Sequence, residues 1–214
     1  RRKSSMAHPP GHGEKRAEIE GLRAVAVVLV LLYHLHVGGL GGGYVGVDAF
    51  FVVSGFLITG LLAREITTGG NVRLHEFWAR RMRRIMPMAL LVVVLTVVFG
   101  YLVLEPGRKD ELMPIALGAV GFCANIVLFY RTDDYLAGAT LPSPMQHYWS
   151  LGVEEQFYLV WPLLVWVIAR LARGRWKLVL GIVCVLLLAG SLAESVRVSY
   201  HDHGAGYFLP QTRV

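Results

Sequence analysis

Residues 21–34, GLRAVAVVLVLLYH, decide the fold of this chain of 214 residues. They form an apolar run with one cation near its start, Arg23, and one imidazole at its end, His34. A helix turns by about 100° and rises by about 1.5 Å per residue, so the eleven steps between these two residues amount to roughly 1100° and roughly 16 Å. Both side chains therefore lie on one face of the helix. Ionisable groups inside a membrane helix are costly, and by default they mark a functional site.

Similar apolar runs recur along the chain, near residues 44–62, 85–104, 149–169 and 178–193. Hydrophobic residues make up 55% of the sequence and charged residues only 17%, whereas a soluble domain is typically about a quarter charged. We therefore predict an all-α fold, a polytopic transmembrane helical bundle with five to six membrane segments. The first of them covers about residues 19–37, and the protein is expected in the cell (plasma or inner) membrane.

Basic residues set the predicted orientation. The net charge is +6, and the lysines and arginines cluster between the apolar runs, where the positive-inside rule places them. We therefore expect membrane lipids as surroundings and no nucleic acid as a partner. Residues 1–17 are expected to be a flexible, basic, cytoplasmic tail, and residues 18–200 an incomplete membrane domain, about its first half. Residues 201–214 are expected to be a polar segment that leads to further spans, so that the chain is a fragment of a longer protein.

Two loops and one short apolar segment complete the predicted topology. Residues 63–84 are predicted to be a strongly basic cytoplasmic loop, and the mildly acidic residues 105–112 an external one. Residues 114–130 are apolar but short, which leaves two interpretations open. If they cross the membrane fully, the basic turn at 170–177 lies outside, against the positive-inside rule. If they only dip into the membrane as a re-entrant piece, that turn is cytoplasmic.

The first two spans are joined by a Gly-rich turn at residues 38–43, with His34 before it and Asp48 after it. We expect His34 and Asp48 to lie at similar depth on adjacent antiparallel spans. A carboxylate beside an imidazole fixes its tautomer and raises its basicity, which predicts a general base. The alternative is a buried polar pair that ties the two helices together. Arg23 has an alternative partner in Glu20, three residues away.

Three arginines in the run FWARRMRRIMP, residues 77–87, fall within about one helical turn: Arg80, Arg81 and Arg84. They are predicted to lie at the cytoplasmic start of the third span. Guanidinium groups suit phosphates, so one interpretation is an anion clamp for a nucleotide-bearing acyl carrier. The other is positive-inside topology with binding of anionic lipids.

The block HYWSLGVEEQFYLVWP, residues 147–162, carries two carboxylates into an apolar run. Ser150 and Glu154 are four residues apart and share one helix face. We predict that either Glu154 or Glu155 faces protein or water rather than lipid, the alternative being that both lie at the headgroup level. Cys123 and Cys184 are expected to be small buried hydrophobes, and no metal site is predicted.

Taken in order, the blocks GLRAVAVVLVLLYH, GYVGVDAFFVVSGFLITGLL, FWARRMRRIMP and WSLGVEEQFYLVWP resemble the acyltransferase-3 family of integral-membrane O-acyltransferases. The resemblance covers about residues 18–162, and YFLPQTR near the end of the chain is similar too. It implies transfer of an acyl group, commonly acetyl from cytoplasmic acetyl-CoA, to a hydroxyl of a cell-surface or secreted glycan. The expected partners are acyl-CoA and a carbohydrate or glycolipid acceptor, with no permanently bound cofactor.

The resemblance also implies roles for individual residues. His34 and Glu154 match the family's motifs and are expected to be catalytic, and Asp48 is added as a catalytic residue because of its predicted position beside His34. The residues expected to bind the acyl-CoA donor are Arg23, Arg80, Arg81 and Arg84, and Ser150 is expected to line the substrate site. A proton-coupled transporter or flippase using the same intramembrane residues is the alternative function, and a structural fragment without activity is a third. Direct transfer and a covalent acyl-histidine are both open, as are the acyl chain length and the acceptor.

Overall fold

The computed structural model describes residues 17–35, 37, 42–131 and 143–201. Within this part every regular element is a helix, in agreement with the predicted all-α class. The helices are α1 (Ala17–His34), α2 (Val45–Gly69), α3 (Leu74–Val103), α4 (Pro106–Val120), α5 (Ala124–Phe129), α6 (Tyr148–Ala172), a short 3₁₀ helix (Arg173–Arg175) and α7 (Trp176–His201).

Four of the described helices are long and apolar enough to cross a membrane: α2, α3, α6 and residues Trp176–Arg197 of α7. The predicted count of five to six membrane segments is therefore not confirmed. Helix α1 is not among the four, because its 18 residues include the charges of Glu18, Glu20 and Arg23. The proposed tail at residues 1–16 and the segment 202–214 lie outside the described residues.

The contacts divide the chain into two compact units, residues 1–57 and residues 58–214. In the first unit, α1 and the start of α2 pack closely through glycine. A Cβ atom added to Gly46 would lie 2.5 Å from the carbonyl oxygen of Ala26, and one added to Gly43 would lie 2.5 Å from that of Leu29. Small residues of this kind let two helix backbones approach each other. As residues 43 and 46 meet residues 29 and 26, the two helices run antiparallel, as predicted.

This register corrects the expected depth of Asp48. Because Gly46 packs against Ala26, Asp48 lies level with about residue 24, one helical turn or less from Arg23. His34 is some ten residues further along α1, a rise of roughly 15 Å. The expectation of similar depth for His34 and Asp48 was wrong, because Gly43, which precedes α2, already lies against Leu29 and Tyr33 of α1.

In the second unit, α3 and α6 are antiparallel and in a single register. The indole Nε1 of Trp78 donates a hydrogen bond to the carbonyl oxygen of Tyr158 (3.0 Å), and the Tyr148 hydroxyl donates one to the carbonyl oxygen of Ala89 (2.7 Å). The indole of Trp166 extends this register to the α2–α3 connection by donating to Asn71 Oδ1 (3.0 Å). The buried core beside it comprises Ile58, Leu62, Val72, Phe77, Tyr158, Val165, Ile168 and Leu180.

The predicted basic loop at residues 63–84 is almost entirely helical. Helix α2 continues to Gly69 and α3 begins at Leu74, which leaves residues 70–73 as the connection. Gly70 has φ +69°, and its N–H donates to the carbonyl oxygen of Ile66, as expected for a glycine that ends a helix. The arginines therefore project from a helix rather than from a loop.

Residues 105–130 form two helices with a break between them, whereas a loop followed by one apolar segment was predicted. Helix α4 begins at Pro106, where the missing N–H of proline is tolerated, and ends before Gly121. Phe122 then adopts φ +54°, and α5 follows after Cys123. Because α3 and α6 are antiparallel, α3 ends and α6 begins towards the same end of the pair. This register favours the re-entrant interpretation of residues 114–130, which stays a prediction.

The same register settles where the basic turn at residues 170–177 lies. Trp166, near the end of α6, is bonded to Asn71, so the 3₁₀ helix Arg173–Arg175 lies at the end of the unit that carries residues 70–73. Helix α7 continues beyond the predicted span to His201. Cys123 and Cys184 are both exposed on the chain, which corrects their expected burial.

Candidate functional site

Arg81 of α3 lies between two carboxylates of α6. Its Nη2 atom is 3.7 Å from Glu154 Oε1, and its Nε atom is 3.5 Å from Glu155 Oε1. The guanidinium also lies over the ring of Tyr158, with Cζ 3.0 Å from the ring centroid, and the Tyr158 hydroxyl donates a short hydrogen bond to Glu154. We call these four residues the Arg81 cluster.

The cluster is partly buried, and Glu155 is its most deeply buried member. The Glu155 side chain is 3% exposed, compared with 22% for Arg81 and 26% for Glu154. Arg81 Nε and Glu155 Oε1 are both shielded from solvent and face each other without meeting hydrogen-bond geometry. A buried ion pair is costly to desolvate, and removing one partner leaves the other charge buried without compensation. The prediction that one of the two glutamates faces protein is confirmed, with Glu155 as that residue.

The α3–α6 register explains why these residues meet. The hydrogen bonds of Trp78 and Tyr148 join the two helices on either side of the cluster along the helix axis. Arg81 lies on α3 between these two bonds. Glu155 precedes Trp166 by eleven residues, a distance of roughly 16 Å along the helix, which is about half of a bilayer core of roughly 30 Å. Helix α3 begins at Leu74, so the arginine run lies inside this helix and away from residues 70–73. That the run marks the cytoplasmic start of the third span stays a prediction.

Of the four predicted donor-binding arginines, the three in α3 lie in different surroundings. Arg80 is exposed and pairs with Glu65 (3.7 Å) and Glu76 (3.3 Å). Arg81 belongs to the partly buried cluster, and Arg84 lines a groove between α3 and α6. Their predicted role in binding a phosphate-bearing donor stays a prediction.

The groove that contains Arg84 has a volume of about 380 Å³, within the range of small-molecule sites. Helix α3 contributes Arg84, Ile85, Met88, Ala89 and Val92, and α6 with the turn before it contributes His147, Tyr148 and Leu151. We call it the Arg84–His147 groove, after its two ionisable side chains.

Ser150, predicted to line the substrate site, lies in the first turn of α6. Its hydroxyl donates a hydrogen bond to the carbonyl oxygen of His147 (3.1 Å), so it fixes the turn that carries the imidazole of the groove. Glu154 lies one turn further along on the same face, as the spacing predicted, and belongs to the Arg81 cluster. On one face of α6, Ser150 therefore contacts the turn that carries His147, and Glu154 contacts Arg81.

The break between α4 and α5 is anchored to α6 by polar groups. The side-chain amide of Gln156 donates to the carbonyl oxygen of Phe122 (3.0 Å) and to Asn125 Oδ1 (2.9 Å), and Asn125 is fully buried. Gly152 lies against the same two groups. Irregular backbone at membrane depth is tolerated only where it is buried in protein or lines a water-filled cavity, and these bonds supply the burial.

The first unit carries the remaining predicted residues. His34 is the last residue of α1, and its Nδ1 atom lies 2.8 Å from the carbonyl oxygen of Val30, which fixes the ring and its tautomer when Nδ1 carries the proton. Arg23 is partly buried near the start of α1, and Asp48 is partly buried in the first turn of α2. The catalytic roles of His34 and Asp48 stay predictions, as does the role of Arg23.

Several residues of these sites were not predicted from the sequence: Tyr158, His147, Asn125 and Gln156. Glu155 was named only as one of two glutamates of which one was expected to face protein or water. A signal was present for Glu155, because a second carboxylate in an apolar run needs a partner. No such signal marked Tyr158 or His147, which resemble the aromatic belt residues of any membrane helix.

Comparisons with known proteins agree on one family. The model of a family described as the acyltransferase domain matches residues 16–209. The chain is 36% identical over 196 residues to the peptidoglycan O-acetyltransferase OatA of Listeria monocytogenes, an alignment that covers 91% of this chain and 31% of that protein. It is 34% identical to the putative peptidoglycan O-acetyltransferase YrhL of Bacillus subtilis, covering 89% of this chain and 30% of that protein.

A third relative, the O-acetyltransferase OatA of Staphylococcus aureus, is 33% identical, with 92% of this chain and 32% of that protein covered. The chain thus spans about a third of the length of the curated relatives it matches. No solved structure matches it.

Proposed function

The chain belongs to the acyltransferase family whose model matches residues 16–209, and we propose that it forms the membrane part of an O-acetyltransferase that modifies a cell-wall glycan. The family match over nearly the whole chain carries this proposal, and the relatives' names supply the acetyl group and the peptidoglycan class of acceptor. The donor is acetyl-CoA, and the protein resides in the cell membrane with its N-terminus in the cytoplasm.

The orientation follows from charge. Residues 70–73 and 173–175 lie at one end of the second unit. The sequence at and near them is basic, with Arg64, Arg73, Arg170, Arg173, Arg175 and Lys177. The positive-inside rule assigns such an end to the cytoplasm. With this end inside, α2 runs inward, so α1 runs outward and the chain begins in the cytoplasm.

In the proposed reaction, the imidazole of His34 takes the proton of an acceptor hydroxyl. The hydroxyl oxygen forms a bond to the acyl carbon, the C–S bond of the thioester breaks, and the CoA thiolate leaves and takes up a proton. General-base help of this kind is typically worth about 10²- to 10⁴-fold in rate. In the covalent variant, the imidazole nitrogen first accepts the acyl group and then passes it to the hydroxyl.

In this proposal the Arg81 cluster holds α3 and α6 together by ion pairs. Glu154 and Glu155 hold Arg81, and through it they fix the face of α3 that also carries Arg84. The alternative of a proton-coupled transporter or flippase has no support in the family or in the relatives' names, which specify group transfer.

The proposal is tested by the glycan of cells with and without the gene that encodes this chain. We expect the cell-wall glycan of the parent to carry O-linked acetate that mild alkali releases, and deletion of the gene to remove it. Purified protein should also be stabilised against heat by acetyl-CoA, by an amount that grows with the logarithm of its concentration. An unchanged acetate content after deletion, together with no stabilisation by acetyl-CoA, would rule out the proposed function.

A further inference from the structure

The turn between α6 and α7 carries positive charge in a long stretch without acidic residues. From residue 156 to residue 193 the sequence contains no aspartate and no glutamate. All basic residues of this stretch lie within residues 170–177, and they are Arg170, Arg173, Arg175 and Lys177. The charge is therefore concentrated where α6 ends and α7 begins.

Three of these cations are exposed and have no carboxylate partner on the part of the chain that the structure describes. The side chains of Arg170, Arg175 and Lys177 are all exposed, and no described carboxylate lies within ion-pair distance of them. We call these three side chains the α6–α7 basic turn. Arg73 and Arg197 differ from them, because each pairs with a glutamate of its own helix.

Two cations of the α6–α7 basic turn lie over indole rings. The Cζ atom of Arg170 is 5.2 Å from the ring centroid of Trp166, and the Nζ atom of Lys177 is 5.7 Å from that of Trp176. Both distances suit a cation–π contact. The Trp166 indole also donates its hydrogen bond to Asn71, so the ring under Arg170 is tied to the α2–α3 connection.

Apolar side chains are exposed on both helices beside the basic turn. On α6 they are Val167 and Leu171, and on α7 they are Leu178 and Ile182. Helix α6 and most of α7 are long and apolar enough to cross a membrane. The basic turn therefore lies where the apolar part of both helices ends, and tryptophan is typical of that level of a membrane protein.

We propose that the α6–α7 basic turn binds the phosphate headgroup of an anionic phospholipid, whose acyl chains lie along the exposed apolar side chains of α6 and α7. The inference rests on the proposed function only for the leaflet, since the proposed orientation places this turn at the cytoplasmic surface. Acetyl transfer has no part in it.

An anionic lipid accounts for the charges and for their surroundings together. Lysine and arginine near a membrane surface attract anionic headgroups, and their aliphatic stems lie along apolar surface while the charged ends reach the headgroups. A soluble phosphate would satisfy the charges but would give no role to the leucines exposed beside them. A zwitterionic lipid would offer apolar chains but no net charge to the turn.

The test uses the full-length protein purified in a neutral detergent. Dioleoyl phosphatidylglycerol is added in steps, the bound lipid is counted by native mass spectrometry, and the thermal midpoint is followed. Phosphatidylglycerol should bind saturably and raise the midpoint, and phosphatidylcholine with the same chains should bind at least about tenfold more weakly. Sodium phosphate, a soluble source of the same anion chemistry, should leave the midpoint unchanged.

Arg170→Gln combined with Lys177→Gln should weaken phosphatidylglycerol binding about 25-fold, at about fivefold for each charge removed. Arg73→Gln combined with Arg197→Gln is the matched control, because it removes two exposed charges that are paired with glutamate. It should bind phosphatidylglycerol as the parent does. Arg170→Lys combined with Lys177→Arg keeps both charges and should also bind normally.

A single substitution covers the case in which the first variant is unstable without lipid. Arg175→Gln changes an exposed side chain that takes part in neither ring contact, and it should weaken phosphatidylglycerol binding about fivefold.

Parental phosphatidylglycerol binding by Arg170→Gln with Lys177→Gln, or by Arg175→Gln, would overturn the inference. Equal binding of phosphatidylglycerol and phosphatidylcholine by the parent would do so too, as would an equal loss in the matched control, which would reflect net charge alone. A rise in the midpoint with sodium phosphate would assign the turn to a soluble anion instead. A parent that binds phosphatidylglycerol but transfers no acetyl would defeat the proposed function and leave this inference standing.

Discussion

Arg81 Nε lies 3.5 Å from Glu155 Oε1, and both atoms are shielded from solvent between α3 and α6. With Glu154 on the other side of the guanidinium and Tyr158 beneath it, this pair joins the arginine run to the Ser-x-x-x-Glu block. Two blocks that are some seventy residues apart in the sequence thus form one charged cluster.

Removing one partner of this pair should destabilise the fold. Glu155→Ala leaves the Arg81 charge buried with one carboxylate fewer, and breaking a buried pair in this way typically costs about 3–5 kcal/mol. The midpoint of thermal unfolding of the purified protein, followed by the monodisperse fraction, is expected to fall by several degrees.

Glu194→Ala is the matched control. Glu194 pairs with Arg197 at 3.2 Å on the exposed part of α7, and such a pair contributes little. Equal midpoints for Glu155→Ala and Glu194→Ala would mean that the buried pair adds no stability.

The bond between Trp166 and Asn71 predicts the sidedness of three positions. In a variant without Cys123 and Cys184, single cysteines at Thr68 and at Gly174 should both react with a membrane-impermeant maleimide from the cytoplasmic side. A cysteine at Gly107, at the other end of α3, should react from outside.

Gly107 and Gly174 tolerate this change because a Cβ there meets no atom within 4 Å. The measurement is labelling in intact cells compared with inverted vesicles. Labelling of the Thr68 and Gly174 positions from opposite sides would contradict the register of α3 and α6.

The packing of α6 against the α4–α5 break predicts a third outcome. A Cβ at Gly152 would lie 2.8 Å from Asn125 Oδ1 and 3.1 Å from the carbonyl oxygen of Phe122. Gly152→Ala should therefore cost about 1–3 kcal/mol through overpacking and should lower the thermal midpoint.

Gly181→Ala tests whether this loss is specific to the site. Gly181 is in α7 with no atom within 4 Å of an added Cβ, so alanine there should be neutral or slightly stabilising, because it favours the helix. A Gly152→Ala protein as stable as Gly181→Ala would show that the α4–α5 break is not docked on α6.

Periodicity and hydropathy predicted the fold to a considerable extent. The helical class, the antiparallel first hairpin and the existence of the spans near residues 44–62, 85–104, 149–169 and 178–193 all follow from apolar runs of sufficient length. The helix ends could not be predicted in this way. Charged residues such as Arg80 and Arg84 were assigned to a loop, although they belong to a helix whose other face is apolar. Charge counts alone also left the α4–α5 segment undecided, and the register of α3 and α6 favours its re-entrant interpretation.

The candidate site was predictable only where spacing along one helix was enough. Ser150 and Glu154 share a face, as four-residue spacing requires, and one of the two glutamates is buried. The predicted depth of Asp48 was wrong because it depends on the register between α1 and α2. The glycine content of the connection does not specify that register. Arg81 with Glu155, and Arg84 with His147, depend on the register between α3 and α6, which no local pattern encodes.

The most direct test of the account is acetyl transfer from labelled acetyl-CoA to cell-wall glycan in membranes that contain the full-length protein. Parent membranes should incorporate label, His75→Ala membranes should do so at the same rate, and His34→Ala membranes should fall by at least about 10²-fold at equal protein level. Incorporation by His34→Ala at the parental rate would contradict the account, because it would show that the imidazole at the end of α1 takes no part in the reaction.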